Sequence, residues 1–341
     1  MDNFFGNSTV VTALAEMAAS GRIPQTLLFS GPEGVGKATL ARRFAALLVG
    51  DAAKIEAGDL SLEANLEIIA DREKWPSDKR NEDPLFFASH PDVFTFAPDG
   101  PLRQITIQQM RLLKDRASLK PSKGAWRVFL IDGIDRANEQ AANSLLKTLE
   151  EPPSHLILIM TARNPYDLLA TIRSRAVPFA LSRLADEEMR AFAAARRLDH
   201  AARRLRLAEG SPGMAVSLDL ETYDRRRDAM LALLHVASGL EPFGAWLKHS
   251  DSLAARRNEK LDSYLDVLYI LLEDVLRLSN GITPLRNEDV RNQLQPLAQR
   301  VTFDWLRAAV ARVDQLVLLV RRNIQKSIAL DAFATEMRGA A

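Results

Sequence analysis

The run Gly31-Pro32-Glu33-Gly34-Val35-Gly36-Lys37 constrains this chain more than any other stretch. It follows the compact apolar block TLLFS (26–30) and leads straight into KATLARRFAALL (37–48), where apolar residues recur at helical spacing. A strand that turns through glycines into a helix can aim successive backbone N–H groups at one anion, and the helix N-terminus adds its dipole. A lysine closing the turn reaches the same anion. Gly31, Gly34, Gly36 and Lys37 are therefore the candidate phosphate cradle. The next position, where a Ser or Thr hydroxyl would hold Mg²⁺, carries Ala38. Thr39 comes one residue late, and one step along a helix rotates a side chain by about 100°. The loop suits a nucleotide phosphate better than it suits hydrolysis of one.

Four further blocks read as strands: DVFTF (92–96), RVFLI (127–131), LILIMT (156–161) and VPFAL (177–181). Each is a short apolar run of the kind buried on both faces of a parallel sheet. Helical patterns at 106–117 and 137–151 fall between them. The alternation predicts an α/β domain with a five-stranded parallel sheet over residues 1–181. Strand signals then stop. Residues 185–208 carry Ala, Leu and Arg at helical spacing, GSPG (210–213) punctuates them, and long amphipathic segments follow at 261–278 and 303–322. A small helical domain over 182–220 and an all-α domain over 221–341 are expected. The stretch 50–86 is polar and irregular and reads as a surface insertion; the final MRGAA reads as a frayed end.

Lys plus Arg total 45 against 44 Asp plus Glu, a balance that argues against a dedicated nucleic-acid coat and leaves room for a local basic patch. The absence of cysteine removes disulfides, thiolate zinc sites, iron–sulfur clusters and thiol catalysis together. The five histidines show no metal-ligand spacing, so no metal site is expected. The longest apolar runs, LILIM and LVLLV, are too short to span a bilayer, and MDNFFGNSTV lacks the features of a signal peptide. A cytoplasmic protein without membrane contact is expected.

The strand RVFLI ends in Asp132, an acid placed as in P-loop ATPases, where it helps hold Mg²⁺. The following position, which in active enzymes carries a glutamate that polarises the attacking water, is Gly133. Downstream, NSLLKTLEEPP (143–153), then a strand, then ARNPYDLLATIRSR (162–175) closely resembles the clamp-loader subunits of bacterial DNA polymerase III, a branch of the AAA+ ATPases. His90-Pro91-Asp92 and the run 323–330 add to the resemblance. It implies an AAA+ domain, a helical lid and a C-terminal helical collar, and a place within the polymerase holoenzyme without a polymerase site of the chain's own.

Within that family the chain resembles the non-hydrolysing members rather than the gamma and tau motors. Ala38 and Gly133 depart from the motor pattern, and Gly213 stands where the motors carry a nucleotide-sensing arginine. Gly31, Gly34, Gly36, Lys37, Thr39 and Asp132 then form a degenerate site. An active gamma- or tau-like motor, and a module that binds ATP without hydrolysis, remain open alternatives. The resemblance also implies that Arg175, in Thr171-Ile172-Arg173-Ser174-Arg175, is an arginine finger offered in trans to a neighbouring subunit's ATP. A guanidinium suits that role because it stays charged and presents a planar fork to phosphate oxygens. The neighbouring Arg173 reads as a solvated helix end. The implied partners are the gamma/tau ATPase subunits and the delta subunit, with the sliding clamp and primer–template DNA reached through the complex. Arg111 and Lys114, with Lys120 nearby, are candidate DNA contacts, sequence-independent and made to phosphates. Many relatives carry a four-cysteine zinc module where 50–86 lies; this chain, without cysteine, has no zinc site there, and the segment must be held by packing or stay mobile.

Overall fold

The computed structural model describes residues 4–255, 259–320 and 325–339. They form two compact units, Met1–Asp199 with Ala208–Val216, and His200–Leu207 with Ser217–Ala341. The 182–220 segment is thus divided between them. Residues 323–324 of the run 323–330, residues 321–322 of the last amphipathic segment, and the final two alanines lie outside the described residues.

The first unit runs α1 (Ser8–Ser20), β1 (Thr26–Ser30), α2 (Lys37–Val49), α3 (Ala52–Glu56), α4 (Glu63–Arg72), α5 (Ser77–Glu82), β2 (Phe87–His90), β3 (Val93–Phe96), α6 (Ile107–Ala117), β4 (Arg127–Ile131), α7 (Glu139–Glu150), β5 (Leu156–Ala162), α8 (Ala170–Arg173), β6 (Val177–Ala180) and α9 (Asp186–Arg196). The sheet order is β2-β3-β4-β5-β1-β6. All five expected strands are present and parallel. A sixth, β2, pairs antiparallel with β3 at the edge. Its sequence, FASH, has neither an apolar run nor alternation, and Ala88 and Ser89 are exposed. At the other edge β6 is largely exposed rather than covered on both faces, and Pro178 is tolerated there because an edge strand can spare an N–H.

Successive side chains of β5 point to opposite faces, as a strand requires. Leu156, Leu158 and Met160 pack with Phe96, Phe129 and the α7 residue Leu145, whereas Ile157 and Ile159 pack with Phe29, Leu40 and Phe44. The two layers of helix on a buried sheet explain why these strands read as unbroken apolar runs. Local signals set the helix starts. Thr106 and Gln109 form a reciprocal capping box at α6, and Asn138 Oδ1 accepts from the Ala141 N–H at α7.

The polar stretch 50–86 is ordered, in three short helices. Two buried arginines hold it. Arg42 pairs with Glu56 at 3.2 Å and with Asp59. Arg72 grips both oxygens of buried Asp99 at 3.0 and 2.7 Å and donates to the Asp83 carbonyl at 2.5 Å. Asn65 Nδ2 donates to the carbonyls of Ala57 and Asp59 at 3.0 and 2.7 Å. Packing by paired charge thus does here what thiolate–zinc bonds would do elsewhere.

The second unit runs α10 (Ala201–Ala208), α11 (Pro212–Ser217), α12 (Leu220–Ala237), α13 (Phe243–Ala255), α14 (Asp262–Ser279), α15 (Arg291–Arg300), α16 (Phe303–Val320) and α17 (Lys326–Arg338), the end of α10 and most of α11 belonging to the first. The apolar stripe of α14 turns into the unit's own core, with Leu265, Leu268 and Leu271 fully buried. Fully buried Asp274 accepts from the N–H groups of Arg286 (2.7 Å) and Asn287 (2.9 Å) and from the Asn287 amide (2.9 Å). The Tyr223 hydroxyl donates to Asn287 Oδ1 at 2.9 Å, and burial pushes that phenol up to about 12. On α16, Trp305, Ala309, Val313 and Leu316 face the core, while Phe303, Val310 and Val317 are exposed one heptad apart. No helix among the described residues is long and apolar enough to cross a membrane.

Two outcomes follow from the buried charges. Arg72→Leu leaves Asp99 buried without its cation, with the Gly100 N–H still donating to it, and is expected to cost about 3–5 kcal/mol locally. Hydrogen exchange over 52–86 should then rise while the sheet stays protected; unchanged protection would contradict the anchoring role. In the second unit burial raises the Glu259 carboxyl, but hydrogen bonds from Tyr264, Arg226 and Arg225 outweigh it and hold the group at about 2. Because the folded value lies below the unfolded one, the stabilisation is complete above the ordinary value of 4.5 and is lost as pH falls through about 2. Glu259→Gln is expected to lower stability at neutral pH by about 1–3 kcal/mol. Denaturant titrations should show that deficit shrinking across this acid window.

Candidate functional site: a closed phosphate loop and an exposed arginine

The loop lies where its sequence puts it, between the carboxyl end of β1 and the start of α2. The Gly31 N–H donates to the carbonyls of Ala162 and Arg163, both at 3.2 Å, so the loop begins pinned to the end of β5. Gly34 and Gly36 both have positive φ (76° and 95°), and Gly36 caps α2. Lys37 turns inward. Its Nζ donates to the carbonyls of Gly31 (2.7 Å) and Pro32 (2.6 Å). Burial lowers the Lys37 pKa, opposed by the charges of Asp132 and Asp135. Lysine and acids are thus near enough for their charges to interact, with the ammonium already engaged by the loop's own backbone. Thr39 lies half-buried in the first turn of α2.

Asp132 sits one residue past β4. Its Oδ1 accepts from the Thr161 hydroxyl at 2.6 Å, and Thr161 Oγ1 in turn accepts from the Gly133 N–H at 2.8 Å. The β4–β5 register pairs Ile131 with Met160, which sets Asp132 opposite Thr161 one step further on. Thr161 escaped the sequence reading; its signal is a lone hydroxyl in an apolar strand, legible only once the register is known. Gly133 has φ 77° and ψ 54°, a left-handed conformation that most side chains resist. A glutamate at this position would meet that backbone cost before doing any chemistry.

A strap from the start of α11 lies on the loop. The Ser211 hydroxyl donates to the Glu33 carbonyl at 2.9 Å, and the Gly213 N–H donates to the Gly34 carbonyl at 2.8 Å. A Cβ on Gly213 would lie 2.9 Å from the Gly34 oxygen and 3.0 Å from its Cα. Close backbone approach therefore leaves no room for a side chain at this position. Glu33 also pairs through its carboxylate with Arg163, whose own N–H donates to Asp135 at 3.2 Å.

Arg175 belongs to a different cluster. It follows α8 on the way to β6, with its side chain 34% exposed. Nη1 donates to the Thr171 carbonyl at 2.9 Å, and Nη2 to Glu150 Oε1, at the end of α7, at 2.8 Å. Nothing in the sequence joins Glu150 to Arg175, because 25 residues separate the two. Arg173 is not simply solvated: its guanidinium lies 5.0 Å from the centre of the exposed Tyr166 ring.

Arg111 and Lys114 are exposed on α6, and Lys120 is exposed just beyond it. His90-Pro91-Asp92 forms a structural knot. Fully buried Asp92 accepts from the N–H groups of Ser122 (2.6 Å) and Lys123 (2.8 Å), and its own N–H donates to His90 Nδ1 at 3.1 Å.

Restoring the missing side chain tests the strap. Gly213→Arg must separate α11 from the loop, at a cost of about 1–3 kcal/mol. A lower melting temperature is expected; an unchanged one would mean that the close approach does not constrain this position.

Residues 80–185 match the family described as DNA polymerase III, delta subunit. The chain is 30% identical over 235 residues to DNA polymerase III subunit delta-prime of Escherichia coli (strain K12), covering 66% of each chain. It is 30% identical over 185 residues to subunit tau of the same organism, covering 54% of this chain and 26% of tau. Among solved structures, a gamma subunit-related protein of DNA polymerase III from Thermotoga maritima is similar at 18% identity with a TM-score of 0.48, over 96% of this chain and 98% of that one. The match thus spans about two thirds of delta-prime and about a quarter of tau. With the loop, the Asp132 strand and the Arg175 segment set in one parallel-sheet unit, the chain belongs to the clamp-loader family of DNA polymerase III subunits, with the delta-prime members.

Proposed function

We propose that the chain is a non-motor subunit of a DNA polymerase III clamp loader. In this reading it helps load the sliding clamp onto primed DNA in the cytoplasm and offers Arg175 to the ATP of an adjacent gamma- or tau-type ATPase subunit. One contrast carries the proposal. The chain's own cradle has Lys37 engaged by Gly31 and Pro32, with Ala38 and Gly133 in place of the groups that would bind Mg²⁺ and polarise water. Arg175, by comparison, stands half-exposed just after a short helix, held by one carbonyl and one carboxylate. Catalytic capacity is weakened in cis and available in trans.

The remaining parts take roles consistent with this. Residues 1–181 act as the AAA+ domain, 182–220 as the lid and 221–341 as the collar, in which the exposed row Phe303, Val310 and Val317 packs against helices of other subunits, delta among them. A row one heptad apart suits helix–helix packing. Arg111 and Lys114 face DNA phosphates through the assembled complex. ATP, if held at Lys37, is a structural ligand that is not turned over.

Arg175→Ala in the reconstituted complex is expected to lower clamp- and DNA-stimulated hydrolysis at the adjacent ATPase by about 10³-fold or more, with assembly unchanged. The purified chain alone is expected to release no phosphate from Mg²⁺–ATP. Unaltered turnover in the mutant complex, or sustained release by the isolated chain, would overturn the reading.

A further inference from the structure

A carboxylate at the end of a helix needs an explanation. Glu150 is the last residue of α7 and Glu151 follows it, at the pole where the helix dipole disfavours negative charge. Lys147 is the basic residue of that last turn. Glu150 is compensated by a cation from elsewhere in the chain, Arg175.

The form of the pair matters as much as its presence. Contact is made through a single nitrogen and a single oxygen, at 2.8 Å, with the two side chains 34% and 49% exposed. A guanidinium and a carboxylate can meet through two parallel bonds, which is the strong arrangement. This pair is not so built, and half-exposed single contacts are weak. The other nitrogen, Nη1, is anchored to the carbonyl of Thr171, in α8. Breaking the contact with Glu150 would therefore release one half of the guanidinium while the other half stays positioned.

We infer that Glu150 is a latch on Arg175: a positioning residue that neutralises the guanidinium until a phosphate oxygen of a neighbouring subunit's nucleotide displaces it. The inference rests on the trans role proposed for Arg175. A terminal phosphate carries more charge than a carboxylate and offers several oxygens to the same fork. It competes for Nη2 and wins, because the existing bond is single and wet. A nucleotide without the terminal phosphate has no group to place there, and the pair stays closed. The latch thus sets how much ATP is needed to engage the arginine, and leaves unchanged the rate once it is engaged. Arg173 lies over the Tyr166 ring instead, and among the described residues no carboxylate pairs with it.

The test uses the reconstituted clamp loader with clamp and primed DNA, comparing wild type with Glu150→Gln, Glu150→Ala and Arg175→Ala. Glu150→Gln keeps size and removes charge from a half-exposed helix end, so the melting temperature of the isolated chain should hold. Both Glu150 variants are expected to lower KM for ATP by about two- to fivefold with kcat unchanged, the range a weak exposed ion pair allows. Arg175→Ala is expected to lower kcat. If Arg175→Ala lowers kcat while the Glu150 variants leave KM unchanged or raise it, the latch is overturned and the trans role stands. If Arg175→Ala has no effect, the trans role fails and the latch with it.

Discussion

The seven-residue strand β5 is paired along one side with β1 and along the other with β4, and every residue in it is buried. Both registers converge at its carboxyl end. On one side the Ala162 and Arg163 carbonyls receive the first N–H of the phosphate loop; on the other, Thr161 holds Asp132 and the backbone of Gly133. Lys37 and Asp132 lie far apart in sequence, yet their meeting is fixed by two ladders of backbone hydrogen bonds that share one strand. Sliding either ladder by one residue would exchange the two faces of the sheet and bury the wrong side chains. The site is as firm as the core beneath it.

That dependence explains what was legible in the residues and what was not. The strands at 26–30, 127–131 and 156–161 were visible because burial on both faces leaves a continuous apolar run, and the glycine loop was visible because a tight turn toward an anion has few solutions. Edge elements gave weaker signals: FASH is polar and short, and VPFAL looks more buried than it is. The site residues split along the same line. Gly31, Gly34, Gly36, Lys37 and Asp132 carry local spacing, whereas Thr161, Ser211 and Glu150 act through partners 29, 178 and 25 residues away. Without strand order and register, no pattern in the sequence joins them.

The 50–86 segment shows a different obscurity. Its composition is that of a solvated loop because charges share its anchoring with only a few aliphatics, Ile55, Ile69 and Leu85. Arg42 on α2 reaches Glu56 and Asp59, and Arg72 at the end of α4 reaches the Asp83 carbonyl and Asp99. Buried ion pairs contribute less net stability than an apolar core of equal volume, but they are unforgiving of a missing partner. A module fastened this way is specific in shape without being strongly hydrophobic, and it leaves Leu62, Leu66 and Ile68 exposed on and beside α4.

Gly213 and Gly133 give the chain a direction in evolutionary time. Each does more than leave out a side chain: the first lets two backbones touch through the Gly34 carbonyl, and the second occupies a left-handed turn held by Thr161. Substituting either back meets a steric or conformational barrier before any catalytic benefit appears, and Ala38 would still need its hydroxyl. Single substitutions at these two positions are therefore penalised one at a time. Packing of this kind works as a ratchet: each glycine, once in place, is held there by the backbone around it.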